Sequence, residues 1–362
     1  MQALSAGAVL EVDLAAVAAN WRMLVARHAG AVGAVVKADG YGLGAKPVAR
    51  RLYREGCRHF FTAHLAEAVA LRGEAPGAMV AALNGLWPGD AGAYAEHDVP
   101  PVLGSLGEVE AWSAEGLRRG RRLEALLHVD TGMNRLGLSP GEVERLAEEP
   151  ERLDGVAVRY VMTHLASAEE PGAPINALQA RRFAAACARL PTAPRSLANS
   201  SGIFLGADFA SELARPGAAL YGINPTPGRA NPMRPCVRLR APVLQVREVG
   251  AGEGVGYNGA WVAPRDSRIA TVSVGYADGF LRSLSNAGEA RFDGAPVPLV
   301  GRVSMDLSTY DVTELPGVAP GAWLELIGPD VPVDAVAERA GTNGYEVLTS
   351  LGRRYARVYL DA

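Results

Sequence analysis

Ala34-Val35-Val36-Lys37-Ala38-Asp39-Gly40-Tyr41-Gly42-Leu43-Gly44 is an apolar run that ends on a lysine and passes through a glycine-rich turn. The stretch from Ala45 to Glu55 that follows carries apolar residues at helical spacing. This is one strand–turn–helix unit, and the pattern repeats. Strand candidates are Ala31–Val36, His59–Ala63, Ala78–Leu83, Val99–Leu103, Leu123–Val129, Val156–Thr163, Arg195–Ala198 and a run around Leu213–Tyr221. Helix-like segments lie between them, at Leu65–Arg72, Gly141–Glu148 and Asn176–Arg189. Ahead of the first strand, Asp13–His28 pairs an N-cap candidate, Asp13, with Leu14, Val17, Trp21, Leu24 and Val25 on one helical face. Eight strands alternating with helices predict an α/β fold built on a parallel (β/α)8 TIM-type barrel rather than an open sheet.

The texture changes at Pro225–Pro235, PTPGRANPMRP, which reads as a linker. Beyond it come strand-like runs at Val237–Val249, Arg268–Val274, Ala290–Val303, Ser308–Val312 and Ala322–Ile327. Two short helices, near Asp334–Ala340 and Tyr345–Leu351, precede a last strand at Ala356–Leu360. The expected organisation is a barrel over residues 1–230 and a mostly-β C-terminal domain over 236–362. The strand region 8–13 is available to pack with the second domain.

The chain has 362 residues, 49% of them hydrophobic, which is enough to bury a large core and rules out a disordered chain. Net charge is −3, so no excess of positive charge draws it to nucleic acid or an anionic membrane. The three cysteines, Cys57, Cys187 and Cys236, are far apart and form no CxxC pair, which argues against a disulfide framework and a structural zinc. No metal site is expected. The first residues lack a basic stretch ahead of an apolar one, and no run of 18 apolar residues exists. A reducing cytoplasm is the expected compartment.

Catalytic groups gather at the C-terminal ends of barrel strands. Lys37 stands at such an end, where low-dielectric walls lower an ammonium pKa and free the amine. A strand-end lysine that snorkels to solvent gives the same pattern. A Rossmann turn is weak here, because Gly40, Gly42 and Gly44 are spaced GxGxG and not GxGxxG. The strand Leu123–Val129 leads into His128-Val-Asp130-Thr-Gly-Met-Asn-Arg135. The next two strands end on Thr163-His164 and on Asn199-Ser200-Ser201-Gly202. One polar strand end is common, whereas several in a row suggest a site. The turns at Asn199–Gly202 and Arg215–Gly222 follow strands seven and eight, where barrels often bind phosphate. In the second domain, Tyr257 and Tyr276 sit in glycine-flanked turns, and Gly301–Asp306 forms a charged cluster; a tyrosine in a turn is usually a packed or surface ring.

Together these segments resemble alanine racemase, a family of pyridoxal-phosphate (PLP) enzymes of fold type III. The resemblance runs along essentially the whole chain. It rests on Val36–Gly42, on HVDTGMNRLG from His128, THLAS from Thr163, ANSSG from Ala198 and RPGAALYG from Arg215. It continues through VGYNGAW from Val255, GYADG from Gly275, GRVSMD from Gly301 and GYEVLTS from Gly344, in the family's order.

The resemblance implies a homodimer with shared active sites that interconverts L-alanine and D-alanine and supplies D-alanine for peptidoglycan. Lys37 would hold PLP covalently and act as one acid–base group. Tyr257, reaching in from the other subunit, would be the second base. Arg215 would face the pyridine nitrogen. Tyr41, Ser200, Gly217 and Tyr345 would hold the phosphate with a backbone contact from Ala218, and Asn199 belongs to the same cofactor set. His164 would hydrogen-bond to Arg215 and help tune Tyr257. Arg135 would contact the cofactor's phenolic oxygen and the substrate carboxylate. Met305, through its backbone, and Asp306 would serve the substrate, with Tyr276 and Arg302 at the entrance.

One position departs from the family pattern. Many members carry a lysine that becomes carbamylated and orients the equivalent of Arg135, but this chain has His128. Histidine forms no stable carbamate, so His128, an ion or water is expected in that role. Glu169 stands where an entrance acid is often Asp. A broad-specificity racemase of the same fold is an open alternative. A decarboxylase relative would need a cysteine where Ser304 stands, and a PLP carrier would lack the second domain.

Overall fold

The computed structural model describes residues 7–361. Eight parallel strand positions close into a barrel. They are Ala31–Val32 continued by Ala34–Val35, then His59–Thr62, Met79–Ala82, Val102–Leu103, Leu123–His128, Val156–Met162, Arg195–Ser196 and Leu213–Ala214. A parallel bridge between Ala82 and Pro101 joins the third to the fourth. The Arg215 N–H donates to the Ala198 carbonyl at 2.8 Å and carries the seventh into the eighth. Leu213 and Ala214 pair with Ala31 and Val32 and complete the ring. Most of the strands are rich in apolar residues because helices cover their outer side while side chains fill the barrel; Glu124, Arg159 and Arg195 are the charged residues that interrupt the pattern. Phe60, Phe61, Val80, Ala81 and Leu126 are all fully buried.

The helices follow their caps. Leu14–Arg27 begins where Asp13 Oδ1 accepts the Ala16 N–H at 2.8 Å. Its buried face is Leu14, Val17, Trp21 and Leu24, while Val25 turns out to solvent. Pro140–Glu148 begins with a reciprocal cap between Ser139 and Glu142. Leu106–Arg118, absent from the sequence reading, starts at Ser105, whose Oγ accepts the Glu108 N–H at 3.3 Å.

The chain enters the barrel from the second domain. Val9–Asp13 pairs antiparallel with the start of Val237–Val249 and parallel with Ala356–Leu360. The long strand Val237–Val249 spans the domain, pairing with Trp323–Ile327 at one end and Ser267–Val272 at the other. Residues 225–235 form neither helix nor strand. Asn20, 1% exposed, pins that stretch: its amide donates to Leu220 O and Arg234 O and accepts the Arg234 N–H.

Two strand expectations change. Ala290–Val303 is a hairpin, Glu289–Phe292 against Ala295–Pro298, because Asp293 and Gly294 both take positive φ and turn the chain. The run around Leu213–Tyr221 is strand only at Leu213–Ala214 and then a 3-10 turn over Ala218–Tyr221, since Pro216 cannot donate to a ladder. Among the described residues, no helix is long and apolar enough to cross a membrane.

Candidate active site

At the end of the first barrel strand the backbone turns the wrong way round. Ala38, Asp39, Gly40 and Tyr41 have φ of 52°, 53°, 65° and 55°. The Gly40 N–H reaches Val36 O at 2.9 Å and the Gly42 N–H reaches Ala38 O at 2.7 Å, closing a left-handed helical turn. Left-handed backbone costs an L-residue roughly 1–2 kcal/mol, so such a turn persists only where its surroundings impose it. Here the Ala38 N–H is held by Glu67 Oε1 and the Ala45 N–H by Asp39 Oδ1. The result is that Lys37 and Tyr41, four residues apart, line one cavity.

That cavity has a volume of about 270 Å³ and opens at the C-terminal end of the barrel. Its walls bring together Lys37, Tyr41, His164, Asn199, Ser200, Arg215, Gly217, Ala218 and Tyr345. No carboxylate lines it among the described residues. Burial, then the charge of Arg135, lowers the Lys37 pKa, and Glu67 opposes them. The amine is thereby brought closer to its neutral, reactive form.

Arg215 is 4% exposed and has no acidic partner among the described residues. Nη1 donates to Ser196 O at 2.8 Å and Ser196 Oγ at 2.6 Å, and Nη2 donates to Thr163 O at 2.5 Å. Three of its five N–H groups are thus used, leaving Nε–H and one Nη2–H for a ligand. Burial lowers its pKa to about 10, which still leaves it charged at neutral pH. The expected hydrogen bond from His164 to Arg215 is not among the contacts of the described residues, because the guanidinium is turned to Ser196 and Thr163.

The turn after strand eight packs by close approach. A Cβ on Gly217 would stand 2.2 Å from Tyr41 Oη. Ser200 Oγ accepts the N–H groups of Gly217 at 3.1 Å and Ala219 at 3.2 Å. Asn199 Oδ1 accepts the Gly202 N–H at 2.8 Å and shapes the neighbouring turn. Tyr41 stacks on Tyr221, centroids 4.6 Å apart, and Tyr221 Oη donates to Val35 O at 3.1 Å. Tyr345 Oη donates to Glu169 Oε1 at 2.7 Å.

The turn after strand five is held by Asp130, whose Oδ1 accepts the N–H groups of Gly132, Met133 and Asn134 at 2.9, 3.0 and 3.2 Å. Arg135 follows on the exposed side and does not line the cavity. His128 is 8% exposed; burial, then Arg215, lowers its pKa to about 4. Burial, then Arg215 and Arg135, lowers that of His164 to about 3. Both imidazoles are neutral at neutral pH.

Tyr345 comes from the second domain, but Tyr257, Tyr276, Met305 and Asp306 do not line this cavity within one chain. Tyr257 is 67% exposed, Met305 54% and Tyr276 43%. Asp306 is exposed and pairs with Arg354 at 2.8 Å. Their loops touch one another: the Tyr276 N–H donates to Ser304 O, and Gly256 packs on Arg302. Sequence reasoning missed Ser196, Tyr221 and Gln179 as site residues, and their burial is visible only once the strands are assembled.

Family comparison covers both halves. Residues 12–225 match the alanine racemase N-terminal domain, and residues 236–359 match the alanine racemase C-terminal domain. The chain belongs to the alanine racemase family. The alanine racemase of Acidiphilium cryptum is 56% identical over 350 residues, 96% of this chain and 98% of that one. That of a Methylobacterium species is 51% identical over 358 residues, 98% of each chain. Among solved structures, an alanine racemase from Bartonella henselae with covalently bound pyridoxal phosphate superposes with a TM-score of 0.95 at 40% identity, covering 98% of this chain and all of that one. The biosynthetic alanine racemase of Pseudomonas aeruginosa gives 0.92 at 33%, covering 99% of this chain and 100% of that one.

The residues of this family member fit PLP. The cavity offers an amine of lowered pKa, a buried guanidinium with two N–H groups to spare, and a glycine-lined turn beside the Ser200, Tyr41 and Tyr345 hydroxyls. Hydroxyl and backbone donors suit a phosphate.

Proposed function

We propose that the chain is a PLP-dependent enzyme that interconverts L-alanine and D-alanine by a two-base mechanism. It works as a cytoplasmic homodimer with shared active sites and supplies D-alanine for peptidoglycan. The observation that carries this reading is Lys37, its pKa lowered by burial and by Arg135, in a cavity that no carboxylate lines among the described residues, beside a buried, still charged Arg215.

Lys37 would hold PLP, with Tyr41, Ser200, Gly217, Ala218 and Tyr345 at the phosphate and Asn199 shaping the adjoining turn. When bound, PLP supplies the electron sink for charge that develops at the substrate's Cα. Racemisation needs a proton removed from one face of Cα and returned to the other. Lys37 Nζ would serve one face and Tyr257 Oη of a second copy the other. Tyrosine has a reference pKa near 10, so Tyr257 needs cationic neighbours in the dimer to act near neutrality. Arg135 would receive the substrate carboxylate, with Met305 and Asp306 completing the substrate side and Tyr276 at the entrance.

The dimer is supported by what one chain leaves open. Tyr257, Tyr276, Met305 and Leu307 are all exposed on adjoining loops of the second domain. An apolar, aromatic cluster of this kind suits burial against another copy.

The test is circular dichroism on L-alanine incubated with purified protein and PLP, beside L-serine, L-lysine and L-arginine. Decay to zero for alanine, much faster than for the others, supports the proposal. Comparable decay for the larger substrates would assign a broad-specificity racemase. No decay with any substrate, despite PLP bound at Lys37, would overturn the assignment of Tyr257.

A further inference from the structure

A fully buried amide ties together the two barrel loops that carry Arg135 and His164. Gln179, on the helix Pro174–Arg189, is 0% exposed. Its Oε1 accepts the Ala166 N–H at 2.8 Å. Its Nε2 donates to His164 O at 2.9 Å and to Thr131 Oγ1 at 3.0 Å. Because Ala166 offers a donor and His164 an acceptor, only one orientation of the amide satisfies both. Thr131, 1% exposed, shares a hydrogen bond with Thr163 Oγ1 at 2.8 Å. Thr163 O in turn accepts from Arg215. One turn earlier on the same helix, Asn176 Nδ2 donates to Ser167 O at 3.1 Å and Glu170 O at 2.9 Å, holding the far side of the loop that carries His164 and Glu169.

We propose that Gln179 is a positioning residue for racemisation, a clamp that fixes the Arg135 loop against the His164 loop and, through Thr131 and Thr163, against Arg215. The role rests on the proposed function, in which Arg135 receives the substrate carboxylate. Gln179 touches neither substrate nor cofactor. It acts by holding two loops in one register, and buried groups left without partners would drive them apart.

The experiment compares the holoenzyme with Gln179→Met, Thr131→Val and Thr131→Ser by alanine kinetics and by hydrogen exchange of peptides spanning 131–137 and 163–170. Gln179→Met removes both halves of the clamp. Thr131→Val cuts only the link between the loops and is the milder change if the first folds poorly. Both are expected to raise KM for alanine about tenfold while kcat stays within about threefold, and to speed exchange in both peptides about tenfold. Thr131→Ser keeps the hydroxyl and is expected to behave as the unmodified enzyme. Unchanged KM with unchanged exchange in the two peptides would overturn the proposal. So would faster exchange spread evenly over the barrel with KM unaltered, since that is what a purely structural role gives. If the unmodified protein failed to racemise alanine, the functional reading would fall and this positioning role with it. Local exchange would still report whether the clamp exists.

Discussion

The hydroxyl of Tyr41 lies 2.2 Å from where a Cβ on Gly217 would stand. Gly217 has φ −124°, outside the left-handed region, and the space it leaves for Tyr41 is what a side chain would take away. Gly217→Ala must therefore push Tyr41 off its stack with Tyr221. Overpacking of this kind costs roughly 1–3 kcal/mol, so PLP should bind cofactor-stripped protein about ten- to a hundredfold more weakly. Fluorescence titration measures this, and unchanged affinity would mean that Tyr41 does not hold the phosphate.

On the proposed reading Arg215 faces the cofactor's ring nitrogen and keeps its own proton, which would leave that nitrogen unprotonated and make PLP a weaker electron sink. Arg215→Glu is expected to increase transamination, read as pyruvate released from alanine. The variant should also be less stable, because its carboxylate would face the Ser196 and Thr163 carbonyls that now accept from the guanidinium. Pyruvate at the level of the unmodified enzyme would refute this explanation of reaction fidelity.

His128 is buried and neutral, at the position where the family resemblance implies a carbamylated lysine in other members. Activity is expected to be the same in bicarbonate-free and bicarbonate-supplemented buffer. His128→Lys should acquire a dependence on bicarbonate. Strong bicarbonate activation of the unmodified enzyme would contradict the assignment.

The same histidine makes the cofactor-stripped protein sensitive to acid. His128 titrates at about 4 in the fold against 6.5 ordinarily. Between those values the unfolded chain takes up a proton that the folded chain refuses, so stability is full above about pH 6.5 and falls as pH drops towards 4. For this one group the loss is about 3 kcal/mol across the window. Urea unfolding at a series of pH values measures it, and His128→Asn should lessen the slope but not abolish it, because the pKa of His164 is lowered to about 3 and it adds to the same acid loss. A slope unaffected by that substitution would place the sensitivity elsewhere.

Much of this molecule is legible in its sequence because its signals are local. Most barrel strands are short, mainly apolar runs, and Asp13 announces the first helix by its cap. Leu106–Arg118 escaped although Ser105 and Glu108 carry the spacing of a helix start. The glycine-rich turn after Lys37 suggests close approach but not four left-handed residues in a row, since Ala38, Asp39 and Tyr41 give no hint that their surroundings impose it. Gln179 and Ser196 look like ordinary surface residues until the fold buries them. Motif resemblance named Tyr257, and its exposure in one chain is why the proposed reading places its partner across an interface.

The central claim is that Lys37 of one copy and Tyr257 of another form one site. Lys37→Ala and Tyr257→Phe proteins, each inactive alone, are mixed under conditions that let subunits exchange, and racemisation of L-alanine is followed. A mixed dimer pairs one intact lysine with one intact tyrosine, so an equimolar mixture should recover about a quarter of the unmodified activity. A mixture that stayed as inactive as its parents, after exchange had been verified, would show that the two residues do not meet across the interface.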